Sequence, residues 1–240
     1  MHMRADVVAE LKALGIRDGA AIMVHASLRR VGPIDGGADT LLDSLLEAIG
    51  SGGTLVMPLG ASPDEPFDAL KSPAEKDMGV LPEIFRQRAE TEVNDHAACR
   101  FGAIGPAAPR LLDNLPLHDY HGSGSLVSRF TEMGGEVLRL GADVDTVTLT
   151  HWAEYIADIP SKRRIRTSYL RADIGRQTIE GLDDMNGIAE WNGGDYFSQI
   201  LIDYVAAKNA SVGQIGNCTA EHFRARSFVD FARLWIESNL

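Results

Sequence analysis

The segment Thr148-Leu149-Thr150-His151-Trp152-Ala153-Glu154 holds an imidazole and a carboxylate three residues apart. On a helix that spacing puts both groups on one face. On the first turn, the positive end of the helix dipole disfavours imidazolium and keeps a neutral base available. Such a base suits removal of a proton from an amine. Glu154 then has three open roles: orienting the base, holding a substrate ammonium, or facing solvent. A second histidine opens the run His25-Ala26-Ser27-Leu28-Arg29-Arg30-Val31-Gly32. His118-Asp119-Tyr120-His121 follows Pro116 in an expected loop. It lacks a third ligand at zinc spacing, so no metal is expected there. Ser123 lies between glycines but not in the G-x-S-x-G elbow of a serine hydrolase.

The elements around these groups follow from apolar spacing. Val7, Val8, Leu11 and Leu14 recur at helical intervals and stop at Gly15. The run Ala20 to Val24 then reads as a buried strand with His25 at its end. Ala38, Leu41, Leu42, Leu45, Leu46 and Ile49 mark a helix face that closes at Gly50-Ser51-Gly52-Gly53 before a strand from Thr54 to Met57. This strand-helix-strand unit implies parallel strands. Pro58 to Gly79 is a long loop beyond a strand's carboxyl end, where ligands collect in open α/β sheets. A helix from Leu81 to Arg88 and a short one after Pro106 precede the strand Glu136 to Gly141, which leads into the His151 helix. Alternation around Gly175 predicts a hairpin. Two helices follow, one burying Phe197, Ile200, Leu201, Tyr204 and Val205, the other Phe228, Phe231, Ala232 and Trp235. The expected fold is α/β in a single domain over 1–240: a central mostly parallel or mixed sheet flanked by helices, with an additional C-terminal hairpin and helices.

Composition narrows the partners. The 240 residues are 45% hydrophobic and 24% charged with a net charge of −11, which disfavours nucleic acid and would attract a cationic small molecule. The start Met1-His2-Met3-Arg4 lacks a signal peptide's apolar middle and no run approaches a membrane span, so a cytoplasmic protein without membrane contact is expected. Cys99 and Cys218 carry no metal or redox spacing and read as buried thiols.

In order, VHASLRRVGPIDGG, GSGGTLVMP, DEPFD, GVLPEIFR, GAIGPAAPRLL, EVLRLGADVDTVTLTHWAE and VGQIGNC span the chain from first helix to last. This order resembles the antibiotic N-acetyltransferases typified by aminoglycoside 3-N-acetyltransferases. The resemblance implies direct acetyl transfer from acetyl-CoA to an amino group on a fold distinct from the GNAT enzymes. Their R/Q-x-x-G-x-G/A pattern is begun at Arg29-Arg30-Val31-Gly32-Pro33-Ile34 but fails at its last position.

By that resemblance His151 is the general base, with Glu154 its partner or an amine contact. His25, Ala26, Ser27 and Leu28 meet the pantetheine or the acetyl thioester, and His25 counts among the catalytic candidates. The family's R-S-x-H-P segment corresponds to Val93, Asn94, Asp95, His96 and Ala97, which keeps only the histidine. Asn94 and His96 thus stand as cofactor contacts, with Arg29, Arg30 and Arg100 replacing the lost phosphate partners. Gly122-Ser123-Gly124-Ser125-Leu126 matches a G-x-x-S-P segment, making Ser125 a substrate contact beside His121. The carboxylates Asp64, Glu65, Asp68, Asp183 and Asp184 would bind the ammonium groups of an aminoglycoside-like acceptor. Another amine, such as a biosynthetic amino sugar, and a catalytically impaired CoA-binding protein stand as alternatives. The oligomeric expectation is a monomer or homodimer.

Overall fold

The computed structural model describes residues 1–62 and 65–240. Helix α1 (Arg4–Leu14) ends at Gly15, whose φ of 112° forms a left-handed C-cap. Strand β1 (Ala21–Ala26) follows, then α2 (Leu28–Val31), α3 (Gly37–Ile49) and β2 (Thr54–Pro58). After a 3-10 turn at Lys76–Met78 come α4 (Val80–Gln87), β3 (Glu92–Val93), β4 (Phe101–Ile104), α5 (Ala108–Leu112), α6 (Leu126–Glu132) and β5 (Glu136–Leu140). The remainder is α7 (Leu149–Ile156), β6 (Arg164–Arg171), β7 (Gly175–Leu182), α8 (Tyr196–Ala206), β8 (Ser211–Ile215), β9 (Cys218–Arg224) and α9 (Ala225–Asn239).

The sheet has seven strands in the order β3-β4-β2-β1-β5-β9-β8. Its centre is parallel, with β1 between β2 and β5, and both flanks are antiparallel. The mixed sheet anticipated above is therefore present, as is the hairpin, which forms its own two-stranded sheet of β6 and β7. Alternation along the central strands feeds two cores. Met23, Val56 and Val137 join the cluster that contains Phe130, Ala153, Tyr204 and Phe228. Ile22, Val24, Leu55, Leu138 and Leu140 join the cluster built on Val7, Leu11, Leu41 and Leu45. Continuous apolar runs with both faces covered are the signature of such central strands.

This arrangement fixes the site in two ways. Helix α7 packs along α9, with Leu149, Ala153 and Glu154 buried, so its first turn is held at one end of the sheet. The hairpin is tied to the loop after β2 by a bridge between Phe67 and Arg171 and by the Phe67 amide donating to the Leu170 carbonyl at 2.7 Å. Among the described residues no helix is long and apolar enough to cross a membrane. Cys99 and Cys218 are buried free thiols.

Candidate active site

His151 occupies the first turn of α7, and its Nδ1 lies 2.8 Å from Glu154 Oε2. Glu154 is only 1% exposed, which excludes the solvent-facing role. Its other oxygen accepts from the Tyr196 hydroxyl, and that hydroxyl in turn accepts from the Ile188 amide at 2.8 Å. Both oxygens are engaged inside the protein, and Glu154 binds the imidazole through Nδ1, not Nε2. Burial pushes the His151 pKa down, but the Glu154 hydrogen bond and the charges of Glu154 and Asp184 outweigh it, so the net shift is upward from 6.5. The dipole-based expectation of a base depressed toward neutrality is thus corrected: a carboxylate at hydrogen-bond distance dominates the partial charge of a helix end.

His121 stacks on His151, with ring centroids 4.8 Å apart and planes 19° from parallel. Burial and the neighbouring His151 and His96 hold His121 well below the ordinary histidine value, so a neutral ring lies against His151, whose own value is raised. Its Nε2 lies 3.7 Å from Asp184, whose Oδ2 accepts from Tyr120 Oη at 2.8 Å. The Phe197 ring meets His151 edge-on at 5.4 Å.

Two clefts meet at this cluster. One, of about 510 Å³, is lined by Asp145, Asp184, Glu190 and Asp195 with Trp191 and Phe197. The other, of about 330 Å³, runs past His121, Thr148, Tyr169, Cys99 and Arg100. His151, Asp184 and Met185 line both. A third cavity of about 170 Å³ holds His25, Ala26 and Ser27 and shares Pro58 and Met78 with the second.

The remaining expected contacts divide sharply. His25 lines neither cleft at His151 but the adjoining third cavity. Burial, aided by Arg139, lowers His25 to about 3 and keeps it neutral. Leu28 packs partly against the second core. Arg29 is exposed, and Arg30 binds the Gly141 carbonyl at 2.7 Å and Asp143 at 2.6 Å. Arg100 is 1% exposed and donates to the carbonyls of Pro73 and Ala69, while it also lines the second cleft. Asn94 and His96, expected as cofactor contacts, both bind backbone groups. Asn94 joins the Cys99 carbonyl to the Phe101 amide, while His96 joins the Cys99 amide to the Leu117 carbonyl. Both lie at a depression apart from the two clefts.

Among the acceptor contacts, Ser125 is fully buried as the N-cap of α6, accepting from Ser128 N at 3.3 Å. Asp183 is 2% exposed and accepts from the amides of Met185 and Asn186, so it builds the turn that carries Asp184. Asp68 caps its own turn through the amides of Leu70 and Lys71, and Glu65 is exposed and lines none of these clefts. Asp64 lies outside the described residues. The acidic cleft instead draws on Asp145, Glu190 and Asp195, which the sequence reading missed together with Tyr196. Asp195 carried one legible signal: as the cap of α8 it accepts from Phe197 N and Ser198 N, the ordinary role of Asp before an apolar helical run.

A sequence-family model described as aminoglycoside 3-N-acetyltransferase matches residues 23–237. Aminoglycoside N(3)-acetyltransferase III of Serratia marcescens is 33% identical, covering 100% of this chain and 98% of its own length. Aminoglycoside N(3)-acetyltransferase VIII of Streptomyces fradiae is 31% identical, covering 99% and 92%. Among solved structures, AAC-IIIb in binary complex with CoASH superposes with a TM-score of 0.94 at 34% identity, over 98% of this chain and 96% of that one. AAC-VIa bound to sisomicin gives 0.91 at 30% identity, over 98% and 97%. With a family-model match over residues 23–237 and these relatives, the chain belongs to the aminoglycoside 3-N-acetyltransferase family of acyltransferases.

Proposed function

We propose that the protein transfers an acetyl group from acetyl-CoA directly to an amino group of an aminoglycoside, with His151 as general base. One observation carries this reading: His151, held through Nδ1 by a buried carboxylate, stands where an acidic cleft meets a second, less acidic one. A polyamine sugar fits the first, where Asp145 and Asp184 offer carboxylate oxygens to its ammonium groups. The second cleft, with the adjoining cavity at His25, Ala26 and Ser27, fits the acyl donor. A relative in binary complex with CoASH and one bound to sisomicin support these two classes of ligand.

His151 Nε2 takes the ammonium proton, freeing the nitrogen lone pair for the thioester. Glu154 keeps the proton on Nδ1 in the resting tautomer and stabilises the imidazolium once Nε2 is protonated. Neutral His121 covers one face of the ring and excludes water there. Because the His151 pKa is raised, the active neutral form grows as pH rises through a value above 6.5. The test is release of CoA thiol from acetyl-CoA across a panel of aminoglycosides and simpler amines. Turnover with aminoglycosides is expected; turnover confined to another amine, or none at all, would overturn the reading.

A further inference from the structure

We propose that Tyr196 is a positioning residue of this site: its hydroxyl holds Glu154 and thereby sets how firmly Glu154 retains the His151 proton. The inference rests on His151 being the base. Tyr196 opens α8, far in sequence from α7, yet it is 3% exposed and its hydroxyl is committed on both sides. It accepts from the Ile188 amide and donates to Glu154 Oε1, the oxygen that His151 does not use. Burial and the Glu154 charge hold the phenol strongly on its protonated side, so the donor direction is fixed. The ring is locked as well, stacked on Phe197 at 4.6 Å and 18°, while Phe197 touches His151. A closed circuit results, in which α8 fixes Glu154 through a hydroxyl and His151 through a ring edge.

The charged and titratable groups around the circuit come from several elements, and Asp145, Glu190 and Asp195 line the cleft with His151 and Tyr196. Glu154 is on α7 itself; Asp184, beyond β7, raises His151. His121 is neutral. Lys162 feels Glu154, and Arg163 feels Tyr196. Only Tyr196 gives Glu154 a side-chain hydrogen bond besides His151 among the described residues. A carboxylate that loses one of two donors concentrates its charge on the other and binds that proton harder. Removing the hydroxyl therefore moves the acidic limb of the rate profile upward. Strengthening the phenol as a donor moves it downward.

The experiment is the pH dependence of kcat/KM for acetyl transfer to an aminoglycoside by wild type, Tyr196→Phe and a protein carrying 3-fluorotyrosine at position 196. The Phe variant is expected to shift the acidic limb up by about half to one pH unit, with a three- to tenfold larger loss below the limb than on the plateau. The fluorinated protein, which retains every hydrogen bond and carries the test if the Phe variant unfolds, is expected to shift it down. An unmoved limb in the folded proteins, or shifts in the same direction, would overturn the inference. Glu154→Gln run alongside separates the failures: a limb that answers to Glu154 but not to Tyr196 removes only this inference, whereas a limb that answers to neither removes the base as well.

Discussion

Replacing Glu154 by Gln removes one charge from the site with little change in shape. The wild-type contact is 2.8 Å and the carboxylate is 1% exposed, so water cannot substitute for it. At an effective dielectric of about 20, two unit charges at that separation attract by roughly 6 kcal/mol, and the cost of burying them offsets much of this. What remains is the worth of a hydrogen bond to a charged group, about 1.5–3 kcal/mol. Only protonated His151 gains this stabilisation in full, and that is the form produced as the amine loses its proton. The loss therefore falls on the barrier: kcat/KM is expected to drop about 10- to 150-fold on its plateau. The acidic limb is expected to move down by at least about one pH unit, since an adjacent opposite charge shifts such groups by about 1–3 units. Steady-state thiol release across pH measures both. A fall of less than about threefold with an unmoved limb would refute the reasoning, because it would mean Glu154 neither orients nor charges the base.

Three further outcomes are expected. Asp145 is exposed and lines only the acidic cleft, so Asp145→Asn raises the aminoglycoside KM about two- to fivefold at low salt with kcat unchanged, and the difference fades at high ionic strength; an unchanged KM at low salt contradicts it. His96→Ala orphans the Cys99 amide and the Leu117 carbonyl and lowers unfolding free energy by about 1–3 kcal/mol, while the KM for acetyl-CoA stays constant; a rise in that KM alone would restore His96 as a cofactor contact. Glu136 binds His222 at 2.8 Å and Arg17 at 3.0 Å, which hold its carboxyl below the ordinary range. A lowered folded value gives stability that is present above the unfolded carboxylate value of about 4.3 and lost as pH falls through the folded one. Urea midpoints of wild type and Glu136→Gln should converge as pH drops from neutral toward that folded value; a constant gap would contradict it.

Much of this site was legible in the chain because it depends on short-range spacing. His151 and Glu154 meet through one helical turn, and the apolar runs at β1, β2 and β5 announce buried central strands. The hairpin showed itself by alternation about Gly175, which adopts a φ of 76°. What escaped was long-range. Tyr196 reaches Glu154 across 42 positions, and nothing in Asp195-Tyr196-Phe197 points to α7. Of the flanking strands, β4 is short and β8 and β9 are half exposed, so none carries a strong apolar signature. Charge alone does not tell the carboxylates apart: Asp183 and Asp184 are adjacent, yet the turn buries the first beneath backbone amides and delivers the second to the cleft. Asn94, His96 and Ser125 show the same limit, since each polar side chain satisfies backbone groups that the loops leave unpaired.

The central claim is that His151 Nε2 receives the proton of the attacking amine. It is tested most directly by kcat/KM for acetyl transfer to an aminoglycoside in wild type and His151→Ala, measured from acid to alkaline pH. A fall of about 10²- to 10⁴-fold near neutrality is expected, with the variant's rate rising only as the free amine itself becomes populated. Equal rates in the two proteins, or the same acidic limb in both, would contradict it.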